Sequence, residues 1–356
     1  MSSQPTNIPS VDLNRWMNGS PADRTQLTAE LRIICHEIGF FYLVNHGVSE
    51  TFLDQHMERL RAFFGLPEEH KQTLDKAHSP QFRGWEALGS ELTNNQVDYR
   101  EQIDIGPERP PLENPEPYYM RLVGYNQWPD VALLPGFQEI ATEYLEKMTV
   151  VARQLLALMS VSLGLPESVI EDRFGSEPES HIKLVRYPPT GEHGYGVGAH
   201  KDSGYLTLLL QDDCGGLEIQ TQQGEWIPAT PVRGSLVINI GELLQQMTHH
   251  YYVATPHRVI NAGAKVRYSS AYFYCPDLDS NLDPLPLASE LIERAQNSEY
   301  HRSAGVMATR SELKKGTGGM ASKNRYTCFG DKYWERWIRS YPEIARKHHP
   351  DLMAQV

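Results

Sequence analysis

With 356 residues, 40% of them hydrophobic, the chain can bury a large core, and its formal net charge of 33 − 45 = −12 argues against a partner presenting a phosphate backbone. The four cysteines, Cys35, Cys214, Cys275 and Cys328, are scattered without a Cys-x-x-Cys pair, which excludes a disulfide framework and fits a reducing compartment. Met1 to Ser20 lacks a basic stretch followed by an apolar one, and no apolar run is long enough to span a bilayer, so the expectation is a soluble, cytoplasmic protein, monomer or homodimer, with no membrane or nucleic-acid partner.

In chain order, Ile8-Pro9-Ser10-Val11-Asp12-Leu13 reads as a short strand entering the core. Ser20-Pro21-Ala22-Asp23 is a helix start: Ser20 is the N-cap, Pro21 takes the first helical position and Asp23 reaches back to close a capping box. Leu27, Leu31, Ile34 and Ile38 keep helical spacing, and Gly39 can end the helix in a left-handed conformation. Phe40 to Val44 is a buried strand, followed by Asn45-His46-Gly47-Val48. A second helix buries Phe52, Met57, Leu60 and Phe64 and stops near Gly65-Leu66-Pro67. Phe82 to Gly106 shows no regular period, and prolines 107, 110, 111, 115 and 117 then enforce an extended connection. The longest helix, Phe137 to Leu163, carries the stripe Ile140, Tyr144, Met148, Val151, Leu155 and Met159 and is ended by Gly164 and Pro166. Such a helix props a sheet.

From His181 the pattern changes to short strands: 181–187, 206–211, 216–220, 226–228, 235–240, 256–260 and 266–275, separated by Gly, Pro, Asn and Asp clusters. Strands following a run of helices predict a mainly β barrel or sandwich with helical buttresses. Past Pro276 the chain is polar; 314–323, with Gly316, Gly318 and Gly319, is expected to be mobile, and an amphipathic helix covers 334–345.

The chemistry concentrates between His200 and Ser269. In His200-Lys201-Asp202 the two ligand-type residues stand at i and i+2, so on a strand they share a face. His257, in Thr255-Pro256-His257-Arg258-Val259, supplies a third. Two imidazoles and one carboxylate cover one face of an octahedral ion and leave positions for substrate, co-substrate and dioxygen. That suits ferrous iron, whereas structural zinc takes four closed ligands. A lone His-x-Asp pair is more often solvated, so the weight comes from its company. A three-residue loop at Asn261-Ala262-Gly263 would make a hairpin that pairs His257 with Arg267, since 257 + 267 = 524, and sends Ser269 and Phe273 to the same face. Taken alone, Arg267 and Ser269 read as an ordinary barrel arginine and a hydroxyl on backbone. Buried beside a metal face, an arginine needs an anion, and a guanidinium fork with a hydroxyl fits the far end of a dicarboxylic acid.

Several segments taken together carry a resemblance. Ile8-Pro9-Ser10-Val11-Asp12, the run Gly39 to Val48, Phe63-Phe64-Gly65-Leu66-Pro67, Gly198-Ala199-His200-Lys201-Asp202, Gly241-Glu242-Leu243-Leu244-Gln245, His257-Arg258-Val259 and Arg267-Tyr268-Ser269 occur in order. With them the sequence resembles the isopenicillin N synthase family of non-haem iron oxygenases, most of whose members use 2-oxoglutarate. The resemblance implies a double-stranded β-helix (jelly-roll) core. It divides the chain into an N-terminal helical and strand region at 1–135, a supporting helix at 136–180, the jelly-roll core with the metal site at 181–276, and a C-terminal segment and helix at 277–356, all in one structural unit. It implies Fe(II) on His200, Asp202 and His257, and 2-oxoglutarate held through its remote carboxylate by Arg267 and Ser269 with help from Tyr187 in Arg186-Tyr187-Pro188-Pro189. It implies as well that dioxygen is the oxidant, that succinate and CO2 are released, and that a C–H of a small molecule is hydroxylated, desaturated or closed into a ring. One departure stands out: Val185 occupies a position where many relatives carry Asn.

Relatives use the strand positions of Lys183 and Phe273 on the substrate side, where the plain readings are a solvated lysine and a core aromatic, and place a lid where Arg83, Trp85 and Arg100 stand. His46, His193, His249 and His250 read as turn or loop histidines, and Cys275 as a small core residue. Two alternatives remain at this stage. One is a 2-oxoglutarate-independent oxidase, because isopenicillin N synthase itself uses the Arg-x-Ser pair on a substrate carboxylate. The other is a non-catalytic metal-binding barrel acting as a sensor.

Overall fold

The computed structural model describes residues 7–93, 96–189, 195–261, 263–303 and 326–353. Its strands are β1 (Ser10–Asp12), β2 (Phe40–Val44), β3 (Gly84–Glu86), β4 (Leu92–Thr93), β5 (Gln96–Val97), β6 (Glu101–Ile105), β7 (His181–Tyr187), β8 (Val197–His200), β9 (Leu206–Gln211), β10 (Leu217–Gln220), β11 (Trp226–Pro228), β12 (Leu236–Ile240), β13 (His257–Val259) and β14 (Arg267–Tyr274). Among the described residues they form an eight-stranded major sheet, β1-β2-β12-β9-β14-β7-β6-β3, a four-stranded minor sheet, β11-β10-β13-β8, and a β4–β5 ribbon. The helices that matter here are α1 (Pro21–Glu37), α2 (Glu50–Phe64), α3 (Phe137–Ser162), α4 (Glu242–Met247), α5 (Phe329–Ser340) and α6 (Pro342–His348). No helix of the described residues is long and apolar enough to cross a membrane.

The period of two divides the major sheet into two faces with separate cores. Its outer face packs on α2 and α3, where Tyr144, Met148, Val151 and Leu155 are buried. Thr149 shares a 2.7 Å hydrogen bond with the Tyr272 hydroxyl there. The inner face meets the minor sheet around a second apolar cluster that includes Phe40, Tyr42, Val185, Val197, Ile219, Val237 and Val259. This closed two-sheet lumen is the jelly roll. α1 begins as its sequence predicts: Asp23 N–H donates to Ser20 Oγ at 3.2 Å, and Ser20 N–H donates back to Asp23 at 3.0 Å. Gly39 ends it at φ 67°. A Cβ there would lie 2.1 Å from the Val253 carbonyl, so glycine is required for space as well as for conformation.

Three expectations are corrected. β13 pairs with β8 and β10, not with β14, whose partners are β7 and β9. There is thus no 257/267 hairpin; the two strands lie in opposite sheets and Arg267 reaches the lumen from the far wall. The segment 82–106 is not irregular, because β3 and β6 extend the major sheet past β7. Strands from the 1–135 region therefore lengthen that sheet at both edges as well as packing on it. The C-terminal helix is two helices, α5 and α6, broken at Tyr341–Pro342, since Pro342 opens α6 and its preceding residue is driven out of helical geometry. The short strand carrying His200, β8, is an addition. The stretch 314–323, His193 and Ala262 lie outside the described residues.

His56, 2% exposed, stacks on Tyr144 with ring centroids 3.7 Å apart and bonds Ser270 Oγ through Nε2 at 2.9 Å. Burial pushes its pKa down to about 3, and that of His36 down to about 4. Both folded-state values lie below that of an unfolded chain, so the unfolded state takes up protons first. Stability from these groups is complete above about pH 6.5 and is lost as pH falls toward 3 to 4. For His56 the loss at pH 5 is about 2 kcal/mol. Urea midpoints should drop between pH 7 and pH 5, and His56→Phe should flatten that slope; a slope unchanged by the substitution would contradict the assignment.

Candidate active site

His200 closes β8 and His257 opens β13, and the two are cross-strand partners in the minor sheet. Their ring centroids are 4.3 Å apart. His200 Nε2 and His257 Nε2 lie 3.7 and 3.8 Å from Asp202 Oδ1, and the three ligand atoms all fall within 4.8 Å of one another. His200 Nδ1 meets the Gly198 carbonyl at 2.9 Å, and His257 Nδ1 meets the Thr255 carbonyl at 3.2 Å. A carbonyl only accepts, so each ring carries its proton on Nδ1 and offers the Nε2 lone pair to the cluster. Asp202 is oriented with equal care. Its Oδ2 accepts from the Thr207 hydroxyl and from Asn239 Nδ2 (2.7 Å), which leaves Oδ1 for the imidazoles. Its carbonyl accepts from Glu242 N–H at 2.7 Å. That approach depends on Gly241, where a Cβ would sit 2.0 Å from the Gly204 carbonyl.

Burial lowers His200 to about 4, so it is a neutral, ligand-competent imidazole at physiological pH. Burial pushes Asp202 up, but His257, His200 and the bonds from Thr207 and Asn239 outweigh it and hold the carboxyl below its ordinary range. Two imidazole nitrogens and one carboxylate oxygen, each fixed by its outer partner, fit an open-sided divalent metal site. A second grouping, Asp212, Asp213 and Cys214, is a turn: Asp212 accepts from the backbone N–H groups of Cys214 and Tyr268.

Arg267 enters from the opposite sheet. It is 1% exposed, pairs with Tyr187 across β14 and β7, and holds its guanidinium 4.9 Å from the Tyr187 ring centroid. It donates to the Gly215 carbonyl (2.6 Å), Ser269 Oγ (3.2 Å) and Gln211 Oε1 (3.3 Å). All three acceptors are neutral, and among the described residues no carboxylate faces it. A buried cation in that state calls for an anion. Gly196 makes room for the stacked ring, since a Cβ there would be 2.6 Å from Tyr187 Cδ1. Val185, 2% exposed and cross-strand from Ser269, adds only apolar surface.

Beyond β14 the inner face turns polar. Register places Lys183 beside Asp104, Val185 beside Gln102, and Gln102 beside Glu86. Lys76 Nζ lies 2.5 Å from both Glu86 and Asp104. Glu91 accepts from Arg100 and Gln102, each at 2.6 Å, and lies 3.4 Å from Lys183 Nζ. Burial pushes Glu91 up, yet Arg100, Lys183 and Lys76 hold it well below the carboxylate range. The Arg100 charge also contributes to lowering His200, so this network lies within electrostatic reach of the metal-type cluster on the same inner face. Behind it, a cavity of about 20 Å³ touches Arg83, Asp104, His181 and Tyr333 and has room for one water molecule.

Of the residues expected near substrate, Lys183, Arg100 and Phe273, whose ring stacks on His181 at 4.9 Å, border this chamber. Two do not. Trp85 pairs with Ile103 on the outer face and donates to Glu101 at 2.8 Å. Arg83 spends its guanidinium on the Pro107 and Gly124 carbonyls, both at 2.6 Å, bracing the proline-rich connection. His46 is a structural turn histidine on the Gly234 carbonyl, and Cys275 is buried in the core, as read. Thr207, Gln211, Asn239, Gln102, Asp104 and Glu91 escaped the sequence reading. Asn239 within Leu236-Val237-Ile238-Asn239-Ile240 was the available signal, a lone amide in an otherwise apolar strand.

Comparisons with known proteins give the family. Residues 8–131 match the family described as non-haem dioxygenase in morphine synthesis N-terminal, and residues 178–276 match the 2OG-Fe(II) oxygenase superfamily. The 2-oxoglutarate-dependent dioxygenase frbJ of Dothideomycetidae sp. (strain 11243) is 30% identical over 98% of this chain and 94% of its own. Homoarginine-6-hydroxylase 2-ODD-C23 of Glycine max is 34% identical over 73% of this chain and 80% of its own. In fold, a putative 2OG-Fe(II) oxygenase family protein from Caulobacter crescentus gives a TM-score of 0.72 at 24% identity, covering 93% of this chain and 98% of that one. The dioxygenase for auxin oxidation in rice gives a TM-score of 0.63 at 25% identity, covering 87% of this chain and 96% of that one. The choice that an Arg-x-Ser pair alone leaves open falls on 2-oxoglutarate, and the chain belongs to the Fe(II)- and 2-oxoglutarate-dependent oxygenases, enzymes that couple dioxygen to decarboxylation of that co-substrate.

Proposed function

We propose that His200, Asp202 and His257 hold the Fe(II), that Arg267 and Ser269 hold the remote carboxylate of 2-oxoglutarate above the Tyr187 ring, and that the enzyme hydroxylates a C–H of a small molecule. The observation that carries this reading is Arg267: a fully buried guanidinium with neutral partners only, in the same lumen as a two-histidine, one-carboxylate cluster. The hydroxylase name of the Glycine max relative supports hydroxylation over desaturation or ring closure. A net charge of −12 and free cysteines support a small-molecule substrate, not nucleic acid, and a cytoplasmic setting.

Bound iron supplies the oxidising chemistry, with 2-oxoglutarate leaving as succinate and CO2. The protein supplies position. Thr207 and Asn239 would keep Asp202 Oδ1 turned to the metal; the Gly198 and Thr255 carbonyls accept from Nδ1 and so leave each Nε2 as the ring's ligand atom. Tyr187 and Gln211 hold the guanidinium plane where a carboxylate can be met by two parallel N–H groups. Phe40, which packs edge-on to His257 with ring centroids 5.3 Å apart, helps keep water from that side of the cluster.

Anaerobic titration of the ferrous protein with 2-oxoglutarate should raise a visible charge-transfer band; its absence would sink the co-substrate site. Arg267→Met should weaken 2-oxoglutarate by about 100-fold while leaving Fe(II) affinity in place. Asn239→Ala should do the reverse, lowering Fe(II) affinity by roughly 10- to 100-fold with an unchanged far-ultraviolet circular dichroism spectrum. Equal metal affinity in that variant would remove Asn239 from the support of Asp202.

A further inference from the structure

The inner face of the major sheet is apolar at one end and charged at the other. Phe40, Tyr42 and Val237 line the first end; Lys183, Asp104, Gln102 and Glu86 line the second. Two strand spacings, about 10 Å, separate His181 from Thr207 across β14. Thr207 bonds Asp202, so the charged end begins within a small molecule's length of the metal-type cluster. An apolar substrate would desolvate that end without giving its spare polar atoms a partner, which is costly.

The charged end holds two complementary sets of groups with capacity to spare. The donors are Arg100 and Lys183. Both converge on the Glu91 carboxylate, which comes from the segment between β3 and β4 and is not part of the sheet. Arg100 Nε is buried and has no hydrogen-bond partner among the described residues. Lys183 Nζ is 3.4 Å from Glu91 and 3.8 Å from Asp104, longer than a tight ammonium–carboxylate bond. The acceptors are Gln102 Oε1 and Asp104 Oδ1. Both are buried without a partner among the described residues, on side chains that face the chamber. Gln102 cannot turn its amide to satisfy itself, because its Nε2 already donates to Glu86 (2.5 Å) and Glu91 (2.6 Å). Arg100 also holds the buried Asp98 carboxylate at 3.0 Å, so the donors keep carboxylates of the protein's own, beside acceptors still lacking an N–H.

Resting on the metal and 2-oxoglutarate assignments above, we propose that the substrate is a small zwitterion such as a free amino acid. Its carboxylate takes the place of Glu91 on Arg100 and Lys183, and its protonated nitrogen donates to Gln102 Oε1 and Asp104 Oδ1. A simple anion would satisfy only the donors. A simple cation would leave Glu91 in place and Arg100 Nε unpaired.

The test is calorimetric titration of the protein loaded with Zn(II) and 2-oxoglutarate, a form that binds substrate without turnover. The proteinogenic amino acids, ornithine and homoarginine are titrated first, and the tightest binder is compared with its methyl ester and its Nα-acetyl derivative. Each derivative should bind at least roughly tenfold more weakly, the value of one charge-assisted hydrogen bond. Lys183→Met should weaken the free acid by a similar factor and leave the ester's affinity unchanged. Failure of every zwitterion to bind, or derivatives binding as well as the parent, overturns the proposal. Titration of 2-oxoglutarate alone separates the two levels: if it binds and no zwitterion does, only this proposal fails, whereas if it does not bind, the co-substrate reading fails first.

Discussion

The Asp202 carboxylate is the constraint on which the site depends. Its residue follows the last strand of the minor sheet, yet its Oδ2 is held by Thr207 on β9 and Asn239 on β12, both in the major sheet. One side chain thus ties the two walls of the jelly roll together at the place where the imidazoles converge. A carboxylate buried to this degree is stable only when its lone pairs are taken up. Here one oxygen is fully engaged by the far wall, so the other has a single direction left. The position of Oδ1 is set by closure of the lumen, not by the loop that carries Asp202. Gly241 serves the same end from the backbone side, letting Glu242 N–H reach the Asp202 carbonyl.

The lattice around Lys76 answers to a different logic. Lys76, Glu86 and Asp104 are all buried, with both ion pairs at 2.5 Å. Taking such charges out of water costs several kcal/mol per ion, and hydrophobic replacements of similar volume are often as stable or more so. Stability alone does not account for a charged cluster at this depth. Its function is to hold neighbouring groups in place: Lys76 pins Glu86 and Asp104, Glu86 pins Gln102, and what is left over points into the chamber. Tyr341 from the C-terminal helices completes the set by donating to Glu86 at 3.0 Å.

What could be read in the sequence, and what could not, follows from the range of the interactions. The Ser20–Asp23 box and the limits of β7 and β9 rest on local chemistry or on unbroken apolar runs, and both were legible. β8 was not: Val197-Gly198-Ala199-His200 has no propensity of its own and is a strand because β13 pairs with it. β3 and β6 hid for another reason. β3 is only three residues long, and the alternation of Gln102-Ile103-Asp104-Ile105 on β6 is brief and set among charged residues, so neither stands out from a loop. The supposed hairpin between 257 and 267 failed on topology. Here β12, β13 and β14 alternate between the two sheets, and closeness in sequence is not pairing. Residue types named the metal cluster, while its supports, Thr207 and Asn239, became visible only with the partner strands in place.

The two polar systems come from different parts of the chain. Residues matching the 2OG-Fe(II) oxygenase superfamily, 178–276, contain the metal-type cluster, its supports and Arg267. Lys76, Glu86, Glu91, Arg100, Gln102 and Asp104 all fall within the N-terminal match, 8–131. The segments join in one sheet along the β6–β7 pairing. On the proposed assignments, substitutions on β6 or in the segment before it change substrate recognition without touching a hydrogen bond to Asp202. Lys183 is the exception. It lies on β7, in the segment that carries the chemistry, but its ammonium faces Glu91 and Asp104 from the other. Its strand also carries Tyr187 beneath Arg267, so on the proposed assignments recognition of substrate and placement of co-substrate share a single rigid element.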